Sequence, residues 1–216
     1  MDNTIYILFI CICAPLVISL PLIKKSSRDI MICIITGICV ALFISEVNGL
    51  FLRFFDDDMY FVTTTITPVT EEIIKALPVF LYVYLYSESR LKFLSVAFAI
   101  GIGFALFENT YILITNVNNV SIPWAVVRGF STALMHGMCT AMIGYGMSYV
   151  RLKRKVAIPG TFALLITSII YHGIFNILVQ DEKFKFYGFI LPAMTYIPFL
   201  LYLLSKRKKE GLKKAL

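Results

Sequence analysis

The sequence predicts an all-α, polytopic membrane protein: a bundle of about seven transmembrane helices, N-terminus outside and C-terminus inside. Three observations predict it. Of the 216 residues 59% are hydrophobic and only 15% charged, with a mean hydropathy of +0.82, whereas a soluble domain is about 45–50% apolar with about a quarter charged. The apolar residues fall into runs near the ~20 residues that cross a bilayer. The basic residues are also unevenly shared: with the N-terminus outside, 15 of the 20 Lys and Arg lie in inner loops and the tail, 4 lie outside, and Lys75 lies within a span. The positive-inside rule then sets the orientation. This composition excludes a soluble globule, a disordered chain and a DNA-binding domain. The net charge of +7 reports topology and contact with the anionic head groups of the lipid bilayer, not a nucleic-acid partner.

The first run, 4–23, follows an N-terminus without a basic region. No small-x-small site comes after it, so it reads as a retained anchor. Lys24, Lys25 and Arg28 form the first inner loop. The second run, 30–51, carries Glu46 near its outer end, and the acidic triplet Asp56, Asp57, Asp58 follows outside. The third, 63–86, contains Glu71, Glu72 and Lys75. Its Thr67-Pro68 pair predicts a helix start, with Thr as cap and Pro in the first position. The positive end of that helix would then lie near the glutamates. The fourth run, 91–115, holds Gly101, Gly103, Phe104, Phe107, Glu108 and Asn109. The fifth, 124–150, places Arg128, Thr132 and His136 on one stripe at steps of four. Arg151, Lys153, Arg154 and Lys155 form another inner loop. The sixth, 157–179, has His172 and Asn176 one turn apart, and the seventh is 186–205. Residues 1–205 thus read as a single transmembrane domain and 206–216 as a basic cytoplasmic tail. Cys11, Cys13, Cys33, Cys39 and Cys139 all sit in apolar runs without a CxxC pair, as small core- or lipid-facing residues rather than disulfides or metal ligands.

A charged side chain within a span costs about 2.5–3.5 kcal/mol on insertion scales. This chain bears that cost repeatedly, so the next question is whether the groups meet. At 1.5 Å per helical residue, Glu72, Glu108, His136 and His172 fall about 10–18 Å below the outer surface. Four residues on four helices therefore share one slab in the outer half of the bilayer, with Glu46 near its rim. Both glutamates can reach Lys75 on one helical face. The i to i+4 spacing predicts that Lys75 pairs with Glu71 and leaves Glu72 as the base. An amide beside an imidazole, as in Asn176 and His172, can stabilise an oxyanion. HExxH and GxSxG are absent, no serine has an obvious basic partner, and no intramembrane Asp pair exists. What remains is Glu, His and Asn, enough for a glutamate-activated water or for a metal held by His and Glu.

Together, Glu71-Glu72-x-x-Lys75, Gly103-Phe104-x-x-Phe107-Glu108-Asn109, Arg128-x₇-His136 and His172-Gly-x-x-Asn176 resemble the PrsW family of intramembrane proteases. They occur in the family's order on consecutive spans and cover about residues 60 to 180. That family is in turn similar to the CAAX prenyl endopeptidases and their bacterial immunity relatives. Where those relatives carry FxxxH, this chain reads Phe104-x-x-x-Glu108. The resemblance implies a multi-pass protein of the bacterial cytoplasmic membrane that hydrolyses a peptide bond of a single-pass membrane protein. The implied substrate is an anti-sigma factor, cut at its first, extracytoplasmic site in a stress response. In this reading Glu71 or Glu72 activates water, and His172 with Asn176 steadies the oxyanion. Glu108 and His136 complete the site, with Lys75, Arg128 and Phe104 in support. No cofactor is the favoured expectation, because four separate helices supply the ligands. The zinc alternative uses His136, His172 and Glu72. A proton-coupled transporter or channel is the main competing class. Against it stand the one-sided polar cluster and the lack of a visible inverted repeat. A non-catalytic assembly protein is the third class.

Overall fold

A computed structural model describes residues 4–86, 89–149 and 154–215, apart from the side chains of Ser26, Arg154, Val156 and 206–215. The apolar runs become α1 (Thr4–Ser19), α2 (Lys25–Phe54), α4 (Thr67–Leu85), α5 (Arg90–Thr115), α6 (Ile122–Met147), α7 (Arg154–Gln180) and α8 (Lys185–Ala215). A single turn, α3 (Met59–Phe61), and a π-helical turn (Val62–Ile66) lead into α4. Among the described residues there is no strand. Among the described residues, five helices are long and apolar enough to cross a bilayer: α1, α2, α5, α7 and α8. The other two, α4 and α6, carry Glu71, Glu72 and Lys75, and Arg128 and His136. Side chains such as Phe130, Leu77 and Tyr84 are largely exposed and form the lipid-facing surface. The chain is an all-α, polytopic membrane protein.

Helix starts follow local chemistry. The Asp58 carboxylate accepts from the Phe61 amide at 2.9 Å, Ser89 accepts from Lys92 and Ser121 from Trp124. Each satisfies an amide that has no partner within its helix. Thr67, by contrast, is no helix start. The residues on either side of it already have right-handed helical backbone and it makes no side-chain cap. The coil begins a full two turns earlier, at Asp58. Pro68 has no N–H to donate, and the chain accommodates it by widening into the π turn instead of beginning a new helix. The positive helix end is therefore at Met59 and not beside the glutamates.

The centre of the bundle is α5, held between α2 and α6 by glycine contacts. A Cβ on Gly103 would lie 2.0 Å from the Ile34 carbonyl oxygen, and one on Gly101 would lie 2.4 Å from that of His136. Only glycine allows backbones this close. The Gly101 contact sets α5 directly against the backbone of His136, so the next two turns of α5 bring Phe104 and Glu108 alongside its ring. Below them Val79, Phe93, Val96, Ile100 and Ile143 form one apolar cluster. Ile38, Ile44, Phe104 and Phe107 form another.

With alternating helices, the turns near 55–58, 116–121 and 181–184 lie at one end of the bundle. The basic loops lie at the other. Arg151, Lys153 and the side chains of the 206–216 tail are outside the described residues, and so is the N-terminal Met1–Asn3; helix α8 itself continues to Ala215. Reporter fusions test the orientation. Fusions after residue 56 or 182 are expected to read as external, and fusions after 153 or 210 as cytoplasmic. A cytoplasmic signal at 182 would remove the orientation derived from charge.

Candidate active site

The first turns of α4 place two carboxylates and an ammonium on one face. Lys75 is 0% exposed, Glu72 0% and Glu71 3%. A buried lysine must find acceptors, and it finds three. Its Nζ donates to Glu72 Oε1 at 2.7 Å and to His136 Nδ1 at 2.8 Å, with Glu71 Oε2 at 3.4 Å. The Phe104 ring covers it, with the ammonium 4.3 Å from the ring centroid. Sequence spacing predicts Glu71 as the partner of Lys75, but the closer partner is Glu72. The reason is tertiary: His172 Nδ1 approaches the same Glu72 oxygen at 3.0 Å, so α7 and Lys75 together hold Glu72 in place.

These contacts set the tautomers. A lysine ammonium has donors only, so His136 Nδ1 is the acceptor and its ring proton sits on Nε2. That nitrogen lies 2.7 Å from Glu108 Oε2 and donates to it. Both imidazoles are thus tied to a carboxylate through one nitrogen, His136 to Glu108 and His172 to Glu72. Their other nitrogens face one atom: Glu71 Oε2 is 3.8 Å from His136 Nδ1 and 3.9 Å from His172 Nε2. These gaps are too long for direct hydrogen bonds, and the lone pair of His136 Nδ1 is already taken by Lys75.

Glu71 and Glu108 both line a cavity of about 390 Å³ bounded by α2, the π turn, α4 and α5. Leu52, Met59 and Tyr111 in its lining place it toward the 55–58 and 116–121 turns. Glu72 does not line it. The structure therefore brings Glu71, Glu72, Lys75, Phe104, Glu108, His136 and His172 into one cluster. It does not bring in Asn176, one of the sequence-predicted residues. Asn176 Nδ2 donates to the Thr63 carbonyl at 2.8 Å, so the oxyanion role given to that amide does not match its placement. The π turn explains this. The Thr67 amide bonds to Val62 and the next residue is Pro68, so Thr63 has no helical donor left and Asn176 supplies one. Arg128, two turns from His136 on α6, lies over the Trp124 ring at 5.5 Å, with its Nε buried and unpartnered.

Sequence reasoning missed the α2 wall. Ser45 and Asn48 line the cavity, and Thr70 beside Glu71 donates to Asn48 Oδ1 at 2.7 Å. The signal was available: Glu46 and Asn48 are polar positions one helical turn or less from Gly49 in an otherwise apolar run. Glu46 itself accepts a hydrogen bond from Tyr6 Oη at 2.6 Å.

Residues 26–203 match the model of the family described as PrsW family intramembrane metalloprotease. The chain belongs to this family. It is thereby an intramembrane peptidase, embedded in lipid and acting on a membrane substrate. No curated protein and no solved structure matches it. The PrsW-family match begins at α2 and ends within α8, so α1 lies outside it.

The family description implies a metal, and the donor set fits one. Glu71, Glu72, His136 and His172 each offer a ligand atom within 4.8 Å of the others. Two imidazoles with a carboxylate form a zinc-type set, and each imidazole is oriented by an outer carboxylate. Glu72 Oε2 is buried without a partner. Three carboxylates, Glu71, Glu72 and Glu108, gather around the single ammonium of Lys75 and the two imidazoles. Glu71 Oε2 and His172 Nε2 are placed to hold a divalent ion, and His136 Nδ1 could join them only in place of its bond to Lys75.

Proposed function

We propose that this PrsW-family protein hydrolyses a peptide bond of a single-pass membrane protein, with Glu71 as the residue that activates water. The observation that carries this reading is the placement of Glu71 Oε2. It borders the cavity and faces two imidazole nitrogens across gaps of 3.8 and 3.9 Å. A water in that gap meets a carboxylate acceptor on one side. Glu71 takes its proton as the oxygen attacks the carbonyl carbon, then passes that proton to the leaving nitrogen as the C–N bond breaks. His172, braced through Nδ1 by Glu72, presents Nε2 to the same space and, when it carries a proton there, donates to the developing oxyanion. His136, held between Lys75 and Glu108, fixes the ammonium beside Glu71. Lys75 keeps Glu72 in place and offsets its charge. A divalent ion held by His172 and Glu71, and by His136 in place of its bond to Lys75, would supply Lewis acidity at this point.

Further features support a finer reading. The cavity lies toward the end of the bundle that the basic-residue bias places outside, which suits a cut near the extracytoplasmic end of the substrate's span. With the family resemblance, this points to first-site cleavage of an anti-sigma factor in the bacterial cytoplasmic membrane. The relation to CAAX prenyl endopeptidases rests on the glutamate pair and on the helix positions of Phe104 and His172. Co-expression with a candidate single-pass anti-sigma factor is expected to yield a shortened fragment that is lost with Glu71→Gln. No fragment from any such substrate would count against the proposal.

Metal dependence is tested separately. Lys75 Nζ already engages His136 Nδ1 and Glu72, which places a resident cation in the cluster. Cleavage is therefore expected to persist in a strong chelator, with much less than one zinc per purified chain. Stoichiometric zinc with chelator-sensitive cleavage would instead make Glu71 a ligand and move the base role to Glu108.

A further inference from the structure

α1 is attached to the rest of the bundle by few buried residues. Of its 16 residues only Ile5 and Cys13 are buried, and it lies outside the region that matches the family. It has no polar face and no glycine to let another helix approach closely. It rests on the outer part of α2 and on α5 through apolar contacts, among them an edge-to-face pair of Phe9 with Phe107 at 5.9 Å. Two features sit at its outer end. Ile5 lines the same cavity as Glu71 and Glu108. One residue later, Tyr6 Oη donates to Glu46 Oε1 at 2.6 Å. At its inner end a short turn with Pro21 joins α1 to α2, and the Ser19 hydroxyl contacts the Met31 sulfur at 3.3 Å.

A membrane substrate must bring its chain to Glu71 from the lipid. The cavity is bounded on its other sides by α2, the π turn, α4 and α5, the last two packed into the core. The side closed by α1 is the one held by few buried residues and an exposed polar bond. We infer that the α2/α5 face under α1 is the docking surface for the substrate's transmembrane helix, and that α1 is its resident occupant. The inference rests on the peptidase reading above. That an apolar helix of this chain already lies there shows that the groove accepts one. A substrate helix of the same uniform apolarity exchanges apolar contacts for apolar contacts, so the exchange is close to neutral in lipid. What it must overcome is the Tyr6–Glu46 hydrogen bond. Its gain is access of its outer end to the cavity floor.

The native cysteines allow a direct test, because Cys13 on α1 and Cys39 on α2 interact side by side. The probe is a synthetic single-pass peptide with a leucine-alanine core, lysine flanks and a benzophenone in its outer third, reconstituted with the full chain in vesicles. In the reduced protein it is expected to photocrosslink to α2 between residues 41 and 52. Joining Cys13 to Cys39, with copper-phenanthroline in air or a short bis-methanethiosulfonate, is expected to cut that crosslink at least roughly tenfold, reversibly with reductant. The Cys39→Ser variant cannot lock and is expected to be unaffected by oxidant. Tyr6→Phe is expected to raise crosslinking by roughly fivefold, the worth of one ordinary hydrogen bond. Undiminished capture in the locked protein, or capture elsewhere on the bundle, would overturn the proposal. Capture is read without cleavage. Normal capture with no cleavage of any substrate would leave the docking surface standing and remove the peptidase mechanism instead.

Discussion

Glu71→Gln is expected to abolish cleavage, with a loss of about 10³-fold, within the range ascribed to a lost general base, while the protein inserts and folds. Glutamine keeps the size of the side chain and its contact with the cavity but cannot accept the proton. Folding is expected to survive because Glu71 is the looser partner of Lys75, at 3.4 Å, and makes no other contact shorter than 3.8 Å to the histidines. Glu72→Gln is expected to behave differently. Glu72 Oε1 accepts from Lys75 at 2.7 Å and meets His172 at 3.0 Å, all of it buried. Removing one charge of a buried pair costs about 3–5 kcal/mol. Thermal unfolding in detergent should fall clearly for Glu72→Gln and little for Glu71→Gln. Cleavage by the Glu71 variant at near-normal rate, with the Glu72 variant stable but inactive, would exchange the two roles.

This division between the two glutamates was not legible in the sequence, whereas much of the framework was. Long apolar runs and the skew of Lys and Arg are enough to define seven helices and their ends, because the bilayer leaves few other solutions. The cluster was also legible as a set, since each of Glu71, Glu108, His136 and His172 is an expensive residue in a span and such residues seek one another. What one sequence does not encode locally is the order of contacts within the set. Spacing along α4 favours Glu71 for Lys75; the approach of His172 from a residue 100 positions away reverses it. The π turn shows the same limit. Thr67-Pro68 has the chemistry of a helix start, but Asp58 caps the coil earlier and Asn176, from α7, takes the carbonyl that Pro68 leaves open. Depth was read only coarsely for a related reason. From the observed helix starts, His136 lies about 21 Å along α6, and Glu108 about 11 Å from the end of α5, by helical rise. Yet their side chains meet at 2.7 Å, so the helix ends stand at different heights.

Lys75→Met is expected to lower activity strongly and to damage the fold more than Glu71→Gln does. The ammonium is the hub of the cluster: it holds Glu72 and His136 and lies under the Phe104 ring. Methionine fills a similar volume and restores none of these bonds. It leaves Glu71 and Glu72 buried without their cation, and the expected cost is again about 3–5 kcal/mol of stability. It also frees His136 Nδ1, so that the ring can turn away from its bond to Glu108. Cleavage should fall by at least about 10²-fold, because the water-binding gap is no longer framed by fixed atoms. Two comparisons separate electrostatics from mere loss of packing. The double variant Lys75→Met, Glu72→Gln removes both members of the closest pair and should recover a good part of the lost stability without recovering activity. Added zinc should raise the unfolding temperature of Lys75→Met more than that of the unaltered protein, because a divalent ion can take over the charge that the lysine provided. Equal activity of Lys75→Met and the unaltered protein would show that Glu72 and His136 are held without it, and would remove Lys75 from the site.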